Sequence, residues 1–148
     1  MKPVVLMIIF GFVMLMISCK NEPKEIVKSS HFNGKPKVVE YIGDDSTIIK
    51  TVEFYANGQK KIEGSFKSGK RHGEWSYWYE NGKLWSRGSF VDGKSEGRFL
   101  SYDENGLLFQ ESFYKNGIPF GKWAFYKNDK RVKEVYYENG VVINEVDL

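Results

Sequence analysis

Two histidines, a single cysteine and a recurring set of large aromatic side chains are the residues of this 148-residue chain whose types could do chemistry. His31 and His72 lie far apart in sequence, and neither stands at metal-ligand spacing from a second ligand or beside a nucleophile. Glu80, Glu104 and Glu138 each precede an Asn and recur along the chain, which marks them as turn residues rather than an acid/base pair. One cysteine allows neither an internal disulfide nor a cysteine metal site. The sequence therefore predicts no catalytic residue, no metal and no cofactor. What remains is recognition by surface contact. Trp78, Trp85, Tyr102 and Tyr126 are the candidates, because aromatic rings repeated along an exposed sheet suit flat partners such as proteins or glycans. Lys70, Arg71, Lys94 and Lys122 line turns along one edge, where acidic lipid head groups are conceivable targets and plain solvation is the simpler reading. Nucleic acid is excluded as a partner: the net charge is only +3, and Lys and Glu are interspersed rather than clustered.

The elements that must carry these residues can be read from composition and period. Aromatic residues make up 16% of the chain and stand among 15 glycines, a combination that favours short strands and tight turns over helices. Steps of 24 residues align Asn57-Gly58, Asn81-Gly82 and Asn105-Gly106, and Asn128-Asp129 follows after 23. A second series, Ser68-Gly69, Asp92-Gly93, Asn116-Gly117 and Asn139-Gly140, keeps the same register. Asn-Gly is a strong hairpin signal, since both central residues of a type I′ turn need positive φ. The sequence predicts a type I′ turn at each Asn-Gly pair and a longer Gly-containing turn at the second series. Between turns lie segments of strand length, rich in Trp, Tyr, Phe, Val and Leu.

Alternation then assigns faces. Trp75, Tyr77 and Tyr79 point one way and Ser76 and Trp78 the other. Equivalent positions superpose across units, so Trp75, Phe99 and Trp123 form one aromatic ladder, and Trp78, Tyr102 and Tyr126 a second on the opposite face. Gly64 and Gly88 are expected to leave room for an aromatic ring laid over the backbone, with Ser112 and Val135 relaxing that approach further on. Residues 38–55 form a first hairpin without the full signature, and residues 141–146 a last edge strand.

The leading segment is of another kind. Lys2 precedes an apolar run from Val4 to Ile17, short for a bilayer-spanning helix and of signal-peptide length. Met16-Ile17-Ser18-Cys19 resembles a bacterial lipobox, which implies cleavage after residue 18 and acylation of Cys19. Lys20 after the cysteine resembles lipoproteins released to an outer membrane, where the host has two membranes. Residues 19–37, with Pro23, Pro36 and Ser29-Ser30, read as a polar tether. The expected organisation is a lipoprotein signal peptide over 1–18, a tether over 19–37 and a repeat domain over 38–148.

The run Gly69-Lys70-Arg71-His72-Gly73-Glu74-Trp75, followed by Tyr77-Trp78-Tyr79-Glu80-Asn81-Gly82-Lys83-Leu84, resembles the MORN repeat in its bacterial variant form. The resemblance implies an all-β fold, an elongated antiparallel β-meander of tandem hairpin repeats, and attaches to such chains an antitoxin role in toxin–antitoxin systems. Export argues against that role, because an antitoxin meets its toxin in the cytoplasm. The expected function is a non-enzymatic, lipid-anchored protein of the bacterial cell envelope whose β-repeat surface binds a protein or glycan, the alternative being an antitoxin or immunity protein.

Overall fold

In the computed structural model, which describes residues 22–148, the chain folds by reversing direction at almost regular intervals. The strands are β1 (Lys24–Ser30), β2 (Pro36–Ile42), β3 (Ile48–Phe54), β4 (Lys60–Lys67), β5 (Lys70–Trp78), β6 (Leu84–Val91), β7 (Lys94–Tyr102), β8 (Leu108–Lys115), β9 (Ile118–Pro119), β10 (Gly121–Lys127), β11 (Lys130–Glu138) and β12 (Val141–Asp147). They form one open antiparallel sheet in chain order from β1 to β8 and on through β10 to β12, with the two-residue β9 paired only to β8. The predicted all-β meander of tandem hairpins is the observed fold.

The two turn series have exchanged the geometries the sequence suggests. Both residues are left-handed at Ser68-Gly69, Asp92-Gly93, Asn116-Gly117 and Asn139-Gly140, so these are the two-residue reversals. At Asn57-Gly58, Asn81-Gly82 and Asn105-Gly106 only the glycine has positive φ. There Tyr55 accepts from Gly58 N–H and donates to Gln59 O, which closes a three-residue loop ending in a left-handed glycine. Asn is selected at these loops for its side chain: Asn57 Oδ1 accepts Gln59 N–H at 2.9 Å, and its Nδ2 donates to Glu80 O of the next repeat at 2.8 Å. Asn81 repeats both contacts, with Lys83 N–H and Glu104 O. The odd spacing at Asn128-Asp129 also has a cause. Both residues there have positive φ, so this loop is a two-residue reversal, one residue shorter than its counterparts.

The array starts earlier than composition suggests. β1, the loop over residues 31–35 and the first residues of β2 together occupy most of the stretch read as a tether, and that loop is a full member of the series. His31 donates to Lys35 O and accepts from Gly34 N–H, as Tyr55 does with Gln59 and Gly58. Asn33 Nδ2 reaches Ala56 O at 2.9 Å, and His31 Nε2–H donates to Phe54 O at 2.9 Å, where Tyr55 and Tyr79 use their hydroxyls on Trp78 O and Tyr102 O. His31 is thus the first of the repeat's clamping side chains. The strand reads as a linker because, paired on one side only, all seven of its residues are exposed.

The aromatic part of the core lies on one face, while Val39, Val52, Leu100 and Ala124 are buried on the other. Thr51, Gly64, Trp75 and Gly88 stand opposite one another across four strands, and Phe99 faces Ser112 and Trp123 faces Val135 further along. Large and small residues therefore alternate along the row. A Cβ at Gly64 would sit 2.1 Å from the Trp75 ring, and one at Gly88 2.1 Å from the Phe99 ring, so each ring lies directly on a glycine. Phe66, Trp75, Phe90, Phe99, Tyr114, Trp123 and Tyr137 join into a continuous spine with ring centroids 4.6–6.2 Å apart. The first four contacts are edge-on, and the last two tilt to 55° and 43°, beyond the point where Ser112 replaces glycine. The buried indole N–H groups are satisfied, Trp75 by Ser65 O and Trp123 by Phe113 O, each at 3.0 Å.

Candidate functional site

The four aromatic candidates do not share a face. Trp78 pairs with Leu84 and Tyr77 with Ser86, which leaves Trp85 as the extra residue of a β-bulge. The bulge breaks the alternation and lays Trp85 against Tyr77 and Tyr79, with ring centroids 6.1 and 6.0 Å apart, on the spine face. The same bulge recurs one repeat later. Tyr102 pairs with Leu108 and Ser101 with Gln110, so Phe109 is the extra residue. Trp85 is 46% exposed and Phe109 37%. With Tyr77, Ser86, Ser101 and Gln110 they line a shallow groove of about 320 Å³. One strand, β7, separates theirs, so the two aromatics stand roughly 10 Å apart from the interstrand spacing. Phe109 was not singled out from sequence, although its offset of one repeat from Trp85 was there to be read.

Trp78, Tyr102 and Tyr126 lie on the opposite face, half-buried among ion pairs. Lys60 sits 5.8 Å from the Trp78 ring and Arg131 5.7 Å from the Tyr126 ring. The Tyr126 hydroxyl donates to Glu111, which also pairs with Arg98. Glu63 is held by Lys50 and Lys60 in the same way. These contacts engage Trp78 and Tyr126 of the ladder. The turn cations divide as well: Arg71 stacks on Trp75 at 4.4 Å and bonds the Tyr77 hydroxyl at 3.1 Å, and Lys122 pairs with Glu134, whereas Lys70 and Lys94 stay exposed.

Glu134 is the most strongly perturbed acid of this face. The Tyr136 hydroxyl, then Lys122 and Arg131, hold its carboxyl down to about 2 from an ordinary 4.5, with desolvation opposing them. A carboxylate depressed in the folded state favours folding above its unfolded pKa, and that contribution is lost as pH falls through the folded value. Glu134→Gln is therefore expected to lower stability at pH 7, with the difference from the native chain closing between about pH 4.5 and pH 2. Urea titrations across that range measure it, and a gap independent of pH would exclude the linkage.

His72 is half-buried with Nδ1 unpartnered among the described residues, and His31 serves the repeat clamp. Among the described residues no group of three or more His, Cys, Asp and Glu is placed to hold a metal. Cys19 lies outside the described residues.

Residues 50–68, 71–92 and 95–116 match the MORN repeat variant, each segment spanning one hairpin built around a three-residue Asn-Gly loop. No curated protein matches the chain. Among solved structures, S. aureus TarM in complex with fondaparinux, α-GlcNAc-glycerol and UDP is 23% identical with a TM-score of 0.46, covering 76% of this chain and 21% of that one. A second TarM structure is 22% identical with a TM-score of 0.46, covering 81% and 22%. The chain thus spans about a fifth of TarM's length.

Proposed function

We propose, from the match of residues 50–68, 71–92 and 95–116 to the MORN repeat variant, that the chain is a binding scaffold rather than an enzyme, a lipid-anchored envelope protein whose β-repeat surface takes a protein or glycan partner. The observation that carries this reading is the exposed pair Trp85 and Phe109, presented by equivalent bulges of consecutive repeats around one groove. A bulge is the natural device for the purpose, since it turns toward solvent a ring that regular alternation would place elsewhere. Ser86, Ser101 and Gln110 add hydroxyl and amide groups between the rings, the mix that gives a stacked partner its orientation. Acylation of Cys19 would supply the anchor, two or three chains holding where one is marginal. The corresponding location is the cell envelope, at the outer membrane where the host has one.

Affinity isolation from the native envelope tests the surface. The double variant Trp85→Ala, Phe109→Ala is expected to recover its partner at least tenfold less well, because truncating one aromatic hot spot alone removes about 2 kcal/mol or more. Both side chains are exposed, so the variant should keep the native circular dichroism and melting profile. Unchanged recovery from a folded variant would move the binding surface elsewhere.

A further inference from the structure

With β1 in place, only residues 20–23 separate Cys19 from Lys24, the first residue of the sheet. Five Cα steps reach at most about 18 Å. This inference rests on the reading of Cys19 as the lipid anchor: on that reading, the first edge of the array is tied to the bilayer by a very short lead. That edge has the composition of a membrane contact. Ile26 is 37% and Val27 50% exposed, and Phe32, at the tip of the first loop, is 100% exposed. Later repeats carry Ala56, Glu80 and Glu104 at the position of Phe32, so this aromatic is peculiar to the loop beside the anchor. Within residues 22–37 four lysines (Lys24, Lys28, Lys35 and Lys37) outnumber two glutamates, Glu22 and Glu25. Lys28 also lies 3.8 Å from Glu40, and Lys35 donates to Asn57 O, which leaves both charges on the surface. The far edge is opposite in charge, with Glu145 and Asp147 on β12, although it too exposes apolar residues, Val141, Val142 and Ile143, so charge, the loop aromatic Phe32 and nearness to Cys19 distinguish the first edge.

We propose that β1 and the loop over residues 31–35 lie against the membrane, Phe32 seated at the interface and the lysines on anionic phospholipid head groups, so that the array stands edge-on. Two physical arguments favour this arrangement. An open sheet leaves two bare edges, and placing one against the membrane removes it as a template for other strands. The free N–H and C=O groups of β1 keep their water at head-group level, which they would lose in hydrocarbon, so the contact is interfacial and not inserted. Each lysine near an anionic surface adds to the attraction. Successive strands then step away from the bilayer by roughly 4.8 Å each, which holds β6 and its Trp85 roughly 24 Å out, clear of the head groups.

The test uses the full chain, purified from membranes and reconstituted into vesicles of phosphatidylcholine with or without phosphatidylglycerol, each containing lipid with a shallow nitroxide. Phe32→Trp is compared with Glu80→Trp, its equivalent two repeats further on. The added emission of Phe32→Trp is expected to be quenched at least twofold more than that of Glu80→Trp, and more strongly with phosphatidylglycerol present. Equal quenching overturns the proposal. Mass spectrometry of the N-terminal peptide judges the anchor separately. An acylated Cys19 with equal quenching leaves an anchored array that hangs free and refutes the edge contact. An unacylated chain that still shows the difference supports the contact and removes the anchor, and an unacylated chain without it refutes both.

Discussion

Trp75→Ala is expected to lower the unfolding free energy by about 3–5 kcal/mol, the range for truncating a buried aromatic, and to do so in the middle of the array. Trp75 is 2% exposed, in a single-layered sheet whose other buried apolar residues are Val39, Val52, Phe90, Leu100, Ala124 and Val135. Among the described residues no second layer packs over it. Its ring meets Phe66 at 5.2 Å and Phe90 at 6.2 Å, lies on Gly64 and faces Gly88 across the β5–β6 pair. Truncation removes these contacts, leaves Ser65 O without the indole donor and takes away the surface on which Arg71 stacks. In a linear array each repeat is stabilised mainly by its neighbours. Losing Trp75 therefore weakens the junctions on both sides of β5 and partly uncouples β1–β4 from the strands beyond. Urea denaturation followed by hydrogen exchange is expected to show an earlier transition for the N-terminal strands than for β7–β12. Trp85→Ala is the contrast: it removes a ring of the same type, 46% exposed, at about 1 kcal/mol or less. Equal losses for the two would mean that the spine is not the core.

The parts of the fold legible in the sequence are those fixed by local chemistry. Asn-Gly and Ser-Gly pairs at a constant period specify reversals whatever lies between them, and Gly64 and Gly88 point to close approach, one of the reasons a strand carries glycine. The turn types were not legible from dipeptides alone. Asn57 and Asn139 each precede glycine, yet only Asn139 has positive φ, because the number of residues left unpaired decides whether Asn supplies its backbone or its side chain. Faces were legible up to each bulge and no further. Trp85 follows the two-residue period only if every residue of β6 is paired, and one unpaired residue shifts the parity, so that Trp85 packs against Tyr77 and Tyr79 on the spine face. The first strand was hidden for a further reason. Hydrophobic alternation reports burial, and an edge strand with nothing packed over it has little burial to report.

Gly64→Ala separates the two reasons a glycine can stand in a strand. Its backbone is outside the left-handed region, so conformation alone would favour alanine by about 0.5–1 kcal/mol. The obstacle is the Trp75 ring, with three of its carbons within 2.6 Å of the new Cβ. That ring is clamped between Phe66 and Phe90 and tied to Ser65 O, so it cannot swing aside as the end of a lysine would. The substitution is expected to destabilise by about 1–3 kcal/mol through overpacking. Placed on Trp75→Ala, the same change should become neutral or favourable, because the obstacle is gone and the strand preference for alanine remains. The double-mutant cycle thus predicts a coupling of about 1.5–3 kcal/mol, read from urea midpoints of the four proteins. An equal cost in both backgrounds would show that Gly64 serves the backbone and not the ring. Ser112 already shows how the pressure is relieved when a side chain is present: it is 3% exposed beneath the later part of the spine, where the rings have tilted from edge-on to 55° and 43°. Ser112→Gly, by the same logic, opens space that no ring is positioned to fill, so glycine is required only where an edge-on ring stands above it.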